Sequence, residues 1–301
     1  MDKLSAILVT FNPDESNVSE LVSVLSKSLS NVVVVDNSEN QVSFLKRLSE
    51  EYKNVEVISL KNNMGIAEAQ NIGVRRVAEL QSKGVFFFDQ DSRIDSSFIA
   101  NLYSSFLDLN EKENGKVAAV GPVFYDSRYK FCYPVIKLNE FGIRSKISPD
   151  LLPNKDDIEV SFIISSGSFS PIDMFYSKVG MFRADFFIDY VDTEWCLRAG
   201  FKGYKIFATK RALMEHAIGD SNISVFNKWK IPVHSAWRRY FRLRNYFYLL
   251  RLEHVPIGLK VREFFTNNLH QLLIVLNVKN KMEYIKYWYN SFVDGLKVLF
   301  K

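Results

Sequence analysis

The clearest structural signal in the sequence is Gly84-Val85-Phe86-Phe87-Phe88-Asp89-Gln90-Asp91-Ser92. A continuous apolar run that ends in polar residues is typical of a strand buried on both faces. Because side chains alternate along a strand, Asp89 and Asp91 are expected on the same side, where the strand passes into a loop. Two carboxylates at that point suit Mg²⁺ or Mn²⁺ carrying a diphosphate. Taken alone, the tripeptide Asp89-Gln90-Asp91 favours a solvated loop that caps a strand over a metal site.

Apolar runs and helical periodicity alternate through the first half of the chain. The predicted elements around the strand at 84–88 are strands over Leu4–Val9, Val32–Val35 and Val55–Leu60 and helices over Ser16–Leu29, Gln41–Tyr52 and Ile66–Gln81. Such alternation predicts βαβ units and a mostly parallel sheet. Ligands of these sheets bind at the carboxyl ends of the strands.

Each of these strands ends in a polar cluster. The clusters are Thr10-Phe11-Asn12, Asp36-Asn37, Asn62-Asn63 and Asp89-Gln90-Asp91. Four such placements on one rim favour a ligand site over an ordinary set of loops. The glycine-rich loops of dinucleotide dehydrogenases and P-loop enzymes are absent, so a metal on Asp91 is the expected means of holding a diphosphate.

Composition and charge limit the remaining possibilities. The chain has 301 residues, 47% of them hydrophobic, and its two cysteines favour a reducing compartment. A strand follows directly after Met1-Asp2-Lys3, so we expect no signal peptide, and no apolar run is long enough to span a membrane. Residues 226–301 carry 14 Lys and Arg against four Asp and Glu, a net +10, which leaves −5 on residues 1–225. An acidic body with a basic tail indicates an anionic partner, either membrane or nucleic acid.

The second half contains weaker signals. A strand is predicted over Val117–Val120, an irregular region over 124–158 that would frame an acceptor, and a strand over Val160–Ile164. Ser165-Ser166-Gly167-Ser168 follows, where small residues permit close approach of a substrate, although a plain turn fits as well. The last strand of the sheet is predicted over Tyr204–Phe207.

Four acids lie in the apolar stretch from Phe182 to Arg198. They are Asp185, Asp189, Asp192 and Glu194. Buried carboxylates are costly unless they are paired or used, and a carboxylate among apolar neighbours suits a general base. Glu194 and Arg198 have the spacing of a structural helical pair. Trp195 is typical of a core or a pocket wall.

The motifs together resemble those of family 2 glycosyltransferases with the GT-A fold. The similarity rests on Thr10-Phe11-Asn12-Pro13, Asp36-Asn37-Ser38, Asn63-x-Gly65-Ile66-Ala67-x-Ala69-x-Asn71-x-Gly73 and Phe88-Asp89-Gln90-Asp91-Ser92. It covers about residues 4–220, and the Asp-Gln-Asp-Ser form resembles the bacterial rhamnosyltransferase branch, which uses dTDP-L-rhamnose. The implied fold is α/β and GT-A type, with a mostly parallel central sheet flanked by helices. Its implied parts are a Rossmann-like nucleotide-sugar-binding half (1–120), an acceptor and base half (121–225) and a helical C-terminal extension (226–301).

The resemblance also implies roles for individual residues. Asp91, Asp89 and His216 would bind Mg²⁺ or Mn²⁺, and Asp89 would also contact the ribose. Val191-Asp192-Thr193-Glu194 is similar to the family's Glu-Asp-x-Asp motif, which makes Asp192 the catalytic base. Because the first and last positions depart from that motif, Asp189 stays a rival. The implied donor-binding residues are Thr10, Asn12, Asp36, Asn37, Asn63, Gly65, Asn71, Asp89, Gln90, Gly167 and Trp195.

The expected function is inverting transfer of L-rhamnose onto a lipid-linked glycan of the O-antigen, capsule or cell-wall type. A stripe in the predicted helix over Met282–Phe300, centred on Trp288 with Ile285 and Phe292, predicts peripheral contact with the anionic inner face of a bacterial membrane, from the cytoplasm. Packing on the catalytic domain, or a homodimer through these helices, is the alternative for the stripe. A UDP-hexose donor, a nucleic-acid-binding protein and a catalytically inactive membrane scaffold are the alternatives for the whole chain. The acidic rim argues against nucleic acid.

Overall fold

The computed structural model describes residues 2–40, 42–126, 130–152, 156–215, 222–225, 229–232 and 234–300. The chain divides into two compact units. The first unit contains Met1–Lys137, Ser145–Phe187 and Val191–His216, and the second contains Leu138–Arg144, Ile188–Tyr190 and Ala217–Lys301. The second unit therefore includes two short segments that the sequence assigned to the catalytic part.

The described elements follow the predicted alternation through β4. The strands are β1 (Leu4–Thr10), β2 (Asn31–Asp36), β3 (Val55–Ser59), β4 (Gly84–Asp89), β5 (Val117–Asp126), β6 (Phe131–Cys132), β7 (Val135–Leu138), β8 (Arg144–Ile147), β9 (Asp157–Val160), β10 (Phe169–Pro171), β11 (Lys205–Glu215), β12 (Asn222–Val225) and β13 (Trp229–Pro232). The helices are α1 (Glu15–Ser28), α2 (Ser43–Glu51), α3 (Gly65–Glu79), α4 (Phe98–Lys112), α5 (Val191–Phe201), α6 (Ala236–Arg251), α7 (Ile257–Asn277) and α8 (Lys281–Leu299). Short helical turns occupy Pro149–Leu151, Met174–Lys178 and Ala184–Phe186.

A mixed sheet forms the centre of the first unit. Its order in the described residues is β3-β2-β1-β4-β10-β5-β11-β9, with β6 paired to β5. Strands β1 to β4 run parallel, as do β5 and β11, whereas β10 and β9 run antiparallel to their neighbours. The predicted α/β class with a mostly parallel central sheet is confirmed.

Helices cover both faces of the parallel half of the sheet. On one face α1, α2 and α4 pack against alternate residues such as Leu8, Val34 and Phe88. On the other face a Cβ at Gly73 of α3 would lie 2.6 Å from the Ile7 side chain of β1, so glycine permits the close approach of helix and strand. Burial on both faces explains why these strands are continuous apolar runs.

Two local predictions were wrong. The strand expected over Val160–Ile164 is instead β9, Asp157–Val160, and the following residues form a loop that leads into β10. Beyond Asp89, the Ser92 N–H donates to the Asp89 carbonyl at 3.0 Å and closes a turn. Strand alternation therefore no longer applies at Asp91, because the chain has left the sheet.

The second unit is mainly helical. Gly295 of α8 lies against the Phe247 ring of α6, where any side chain would collide with it, and Phe247 also contacts Phe292 with ring centroids 5.4 Å apart. Trp288 Nε1 donates to Asn268 Oδ1 of α7 at 3.2 Å. Trp288 and Phe292, predicted at the membrane stripe, thus contact neighbouring helices. Among the described residues, none of the helices combines the length and the apolar character needed to cross a membrane.

Candidate active site

The ends of β1 and β2 are tied together by a buried carboxylate. Asp36 is 1% exposed, and its Oδ1 accepts from the Thr10 hydroxyl at 3.0 Å and the Ser38 hydroxyl at 2.6 Å. The Asn12 N–H donates to Ser38 Oγ at 2.8 Å. These bonds offset the cost of burying Asp36 and fix the shape of the loop after β1.

An asparagine pair connects the ends of β2 and β3. Asn37 Nδ2 donates to Asn63 Oδ1 at 3.0 Å, and Asn37 Oδ1 accepts from the Met64 N–H at 2.8 Å. Asn63 Oδ1 also accepts from the Gly65 N–H at 3.0 Å. The two predicted donor-binding asparagines therefore orient each other at the start of α3.

Gly65 is required by the backbone at that position. Its φ is +82°, and a Cβ there would lie 2.6 Å from both the ring and the carbonyl oxygen of Phe187. The Phe187 carbonyl also accepts from the Ala67 N–H at 3.4 Å. Only glycine combines this left-handed conformation with so close a neighbour.

The turn after β4 contacts two other loops. Gln90 Oε1 accepts from the Phe11 N–H at 2.7 Å, which connects the turn to the end of β1. Ser92 Oγ lies 2.8 Å from Ser166 Oγ, and the Asp89 N–H donates to Ser92 Oγ at 3.2 Å. The Asp91 side chain is exposed beside this network.

The Ser165–Ser168 loop is bonded to the edge of β4. The Gly167 N–H donates to the Phe87 carbonyl at 2.7 Å, and the Phe87 N–H donates to the Ser168 carbonyl at 2.9 Å. Gly167 has φ +77°, and a Cβ would lie 2.7 Å from Met214 Sδ. The loop is thereby fixed next to the Asp89–Ser92 turn.

Asp192 lies in the first turn of α5 and faces this loop. Its Oδ2 accepts from the Ser165 N–H at 3.3 Å and its Oδ1 from the Thr193 N–H at 2.8 Å. A small cavity of about 20 Å³, lined by Asp192 with Ser165 and mainly apolar side chains, has room for about one water molecule. The arrangement presents an oriented carboxylate close to the strand-end rim.

Comparison with known proteins identifies the chemistry. The model of Glycosyl transferase family 2 matches residues 5–170. The chain belongs to this glycosyl transferase family. It is also similar to the dTDP-rhamnosyl transferase RfbF of Shigella flexneri, with 40% identity over 292 residues, which are 97% of this chain and 95% of that protein.

Solved structures resemble the glycosyltransferase in fold. S. aureus TarS 1-349 has a TM-score of 0.58 at 15% identity, with 99% of this chain and 81% of that chain covered. Its complex with UDP gives 0.56 at 17% identity and the same coverage. GalNAc-T7 with UDP, GalNAc and Mn²⁺ gives 0.59 at 15% identity, with 89% of this chain and 55% of that chain covered. These likenesses show a GT-A type fold, as the motifs predicted.

Asp189, the rival base, is engaged elsewhere in the glycosyltransferase. It belongs to the second unit, where its carboxylate lies 3.5 Å from Arg238 Nε and 3.7 Å from Arg242 Nη1. Its side chain is only 10% exposed. A carboxylate held between two guanidinium groups has a structural explanation for its burial.

Several motif residues have purely internal partners. Glu194 is fully buried and bonded to Arg198, with Nε 2.9 Å and Nη2 3.0 Å from its two oxygens, as the helical spacing predicted. Trp195 is 3% exposed and donates to the Gly180 carbonyl. Asn71 bonds both the N–H and the carbonyl of Phe182. Trp195 and Asn71, proposed from the motifs to bind the donor, therefore hold the chain around 180–182.

The acids of the turn after β4 fit a metal that arrives with its substrate. Mg²⁺ needs only one or two carboxylates when phosphates and water supply the other ligands. No group of three or more His, Cys, Asp or Glu with the geometry of a metal site occurs within the described residues. Asp89 and Asp91 are the one or two carboxylates that a metal–diphosphate complex needs from a protein. His216, the third predicted ligand, lies outside the described residues.

The motifs did not predict Gln70 as a site residue, whereas Ser165 lies in the predicted Ser165–Ser168 segment. Gln70 is 2% exposed, its Nε2 donates to Ser165 Oγ at 3.0 Å, and its buried Oε1 has no hydrogen-bond partner. Ser165 therefore connects Gln70 with Asp192. The available signal was the position of Gln70 between Ala69 and Asn71 of the α3 motif.

Proposed function

We propose that this glycosyltransferase transfers L-rhamnose from dTDP-L-rhamnose, with inversion, to a hydroxyl of a lipid-linked glycan. The observation that carries the donor assignment is 40% identity across nearly the whole chain with a dTDP-rhamnosyl transferase. The Asp89–Ser92 turn supports it, since that motif resembles the rhamnosyl branch of the family.

The donor would bind along the rim formed by the ends of β1 to β4. Asp36 and Asn37 lie where a nucleoside meets such a sheet, and Asp89 would accept from the ribose. Asp91, with Asp89, would hold Mg²⁺ or Mn²⁺, which when bound neutralises charge on the diphosphate. Thr10, Asn12, Asn63 and Gly65 would act by fixing the loops of the rim.

Asp192 would act as the general base. It takes the proton of the acceptor hydroxyl while that oxygen bonds to the anomeric carbon, and the bond from this carbon to the diphosphate oxygen breaks. The nucleoside diphosphate leaves on the opposite side, which inverts the anomeric centre. The N–H groups of Ser165 and Thr193 support the role because they fix the orientation of the carboxylate.

We further propose that the second unit binds an anionic lipid surface. Helix α7 exposes a row of large apolar side chains, here called the α7 face: Ile257, Val261, Phe265, Leu269, Leu272 and Leu276. Phe265 is 64% exposed and Leu269 59%. Contiguous exposed apolar residues of this kind are unusual on the surface of a soluble monomer. The net charge of +10 on residues 226–301 complements anionic headgroups.

Membrane binding would give the transferase access to its acceptor. A nucleotide sugar dissolves in the cytosol, whereas a lipid-linked glycan stays in the bilayer. The α7 face supports an interfacial helix, in which apolar residues enter the headgroup region and cations remain above it. The interface is proposed at α7 because Trp288 and Phe292 of α8 contact α7 and α6.

Turnover against a small set of donors tests the proposed chemistry. dTDP-L-rhamnose against dTDP-D-glucose isolates the sugar, and dTDP-D-glucose against UDP-D-glucose isolates the nucleoside, which differs in both the base and the ribose 2′-hydroxyl. We expect measurable turnover of dTDP-L-rhamnose only. We also expect competitive inhibition by dTDP and none by UDP. Turnover of a UDP-sugar without response to dTDP-L-rhamnose would contradict the donor assignment and leave the fold intact.

A further inference from the structure

The segment just before α5 has an unusual backbone. Phe187, Asp189 and Tyr190 all have positive φ, between +63° and +64°, although none is glycine. Side chains disfavour this conformation, so it persists only where the surroundings impose it. Val191 starts α5 immediately afterwards, and Asp192 is the second residue of that helix.

A buried asparagine of α6 binds the backbone of this segment. Asn245 is 0% exposed, and its Nδ2 donates to the carbonyls of Ile188 at 2.8 Å and Asp189 at 3.1 Å. One amide nitrogen thus satisfies two consecutive carbonyls. Arg238 and Arg242 of the same helix face the Asp189 carboxylate.

Tyr190 is held by α7. Its hydroxyl donates to Glu263 Oε2 at 2.5 Å and accepts from Asn267 Nδ2 at 2.7 Å. The Arg242 guanidinium lies over the ring, 4.8 Å from its centroid. Burial raises the pKa of Tyr190, which keeps the phenol neutral and able to donate.

We propose that Tyr190, Asn245 and Glu263 are positioning residues for the catalytic base. The helices of the second unit hold residues 188–190 in a conformation that the chain alone disfavours. Because α5 starts at the next residue, that conformation sets where the helix begins and hence where the Asp192 carboxylate lies. The inference rests on the proposed role of Asp192, and it assigns the C-terminal helices a part in turnover that is separate from membrane binding.

Two matched tyrosine variants test this role. Tyr190→Phe removes the phenol that bonds Glu263, while Tyr240→Phe removes a phenol that bonds Asp294 of α8 at 2.9 Å. We expect Tyr190→Phe to lower kcat about tenfold or more with unchanged donor affinity, since small displacements of reacting groups are costly. Tyr240→Phe should keep kcat whatever its change in Tm. If the two variants have the same kcat, the proposal is overturned. The Tm of each variant is measured as well, so that a loss of kcat caused by unfolding is recognised.

Glu263 supplies a second, independent pair should Tyr190→Phe fold poorly. Glu263→Gln keeps an acceptor within reach of the phenol, whereas Glu263→Leu does not. We expect kcat to be largely retained in the first and lost in the second, with donor KM unchanged in both. Equal loss in both variants would contradict the role of the hydrogen bond.

A double-mutant cycle separates the inference from the proposed base. If Tyr190 acts through Asp192, Tyr190→Phe should cause no further loss of kcat in an Asp192→Asn background. Multiplying effects would show that Tyr190 acts elsewhere and overturn the inference. Full turnover by Asp192→Asn alone would contradict the base, and the inference with it. Loss in Asp192→Asn with normal turnover in Tyr190→Phe would contradict the inference alone.

Discussion

The backbone N–H of Ser165 donates to Oδ2 of Asp192 at 3.3 Å, across 27 positions of sequence. The loop that carries Ser165 is itself bonded to β4 through Gly167 and Phe87. The proposed base is therefore oriented by the same strand that ends at the proposed metal site. The proposed metal site and the proposed base therefore belong to the same unit of the chain.

Asp91→Ala should weaken donor binding in the presence of Mg²⁺ or Mn²⁺ and lower turnover by about 10²-fold or more, because a metal contributes several kcal/mol at a diphosphate. Titration calorimetry of the donor with and without metal measures the effect. Glu111→Gln, an exposed acid on α4, is the matched control and should behave as wild type. Wild-type turnover in Asp91→Ala, or full activity in excess EDTA, would remove the metal from the mechanism.

Gly65→Ala should destabilise the protein by about 1–3 kcal/mol, because the new side chain meets Phe187 and the residue keeps a positive φ. Donor affinity should fall as well, since Gly65 lies at the rim. Gly200→Ala is the control, because a Cβ at that helical position has no neighbour within 4 Å. Urea unfolding should show Gly200→Ala unchanged or more stable by up to about 1 kcal/mol. Equal stability of the two variants would contradict the packing described for Gly65.

Phe265→Ser with Leu269→Ser should abolish most binding to vesicles that contain phosphatidylglycerol, while donor turnover in solution stays near wild type. Binding by the wild-type protein should fall as salt rises, because salt screens the attraction between basic side chains and anionic headgroups. Leu107→Ser, which removes an exposed leucine of α4, is the control and should bind as wild type. Sedimentation of the wild type and the double variant tests whether a second copy of the chain covers the α7 face instead of a membrane. A wild-type dimer that the double variant dissociates, without any vesicle binding, would show that a second copy covers it.

The parallel half of the fold could be predicted from sequence because β1, β2 and β4 are buried on both faces and read as uninterrupted apolar runs. β9 was misplaced because the apolar residues Ile163 and Ile164 belong to a loop. Ile163 packs beside Gly121, where a Cβ would lie 3.0 Å from its Cδ1. That contact depends on tertiary structure and leaves no periodic pattern.

The site residues likewise divide into those that a sequence pattern indicates and those that depend on tertiary contacts. Asp192 is a candidate base because its motif resembles that of a family, and Glu194 could be assigned to Arg198 by helical spacing. The hydrogen bonds from Gln70 to Ser165 and from Asn245 to the backbone of residues 188–190 could not be predicted, since each joins residues more than 50 positions apart. Asn71 and Trp195 were assigned to the donor because a motif records which residues occur together and not whether they face a ligand or the core.

The kcat of Asp192→Asn, measured together with donor affinity, is the sharpest test of Asp192 as the general base. We expect kcat to fall by about 10²-fold or more, the usual contribution of a general base, with unchanged affinity for dTDP-L-rhamnose. Asp189→Asn is the matched control, and its loss of kcat should be at least about tenfold smaller than that of Asp192→Asn. Wild-type kcat in Asp192→Asn, with the large loss appearing in Asp189→Asn instead, would show that Asp192 is not the base.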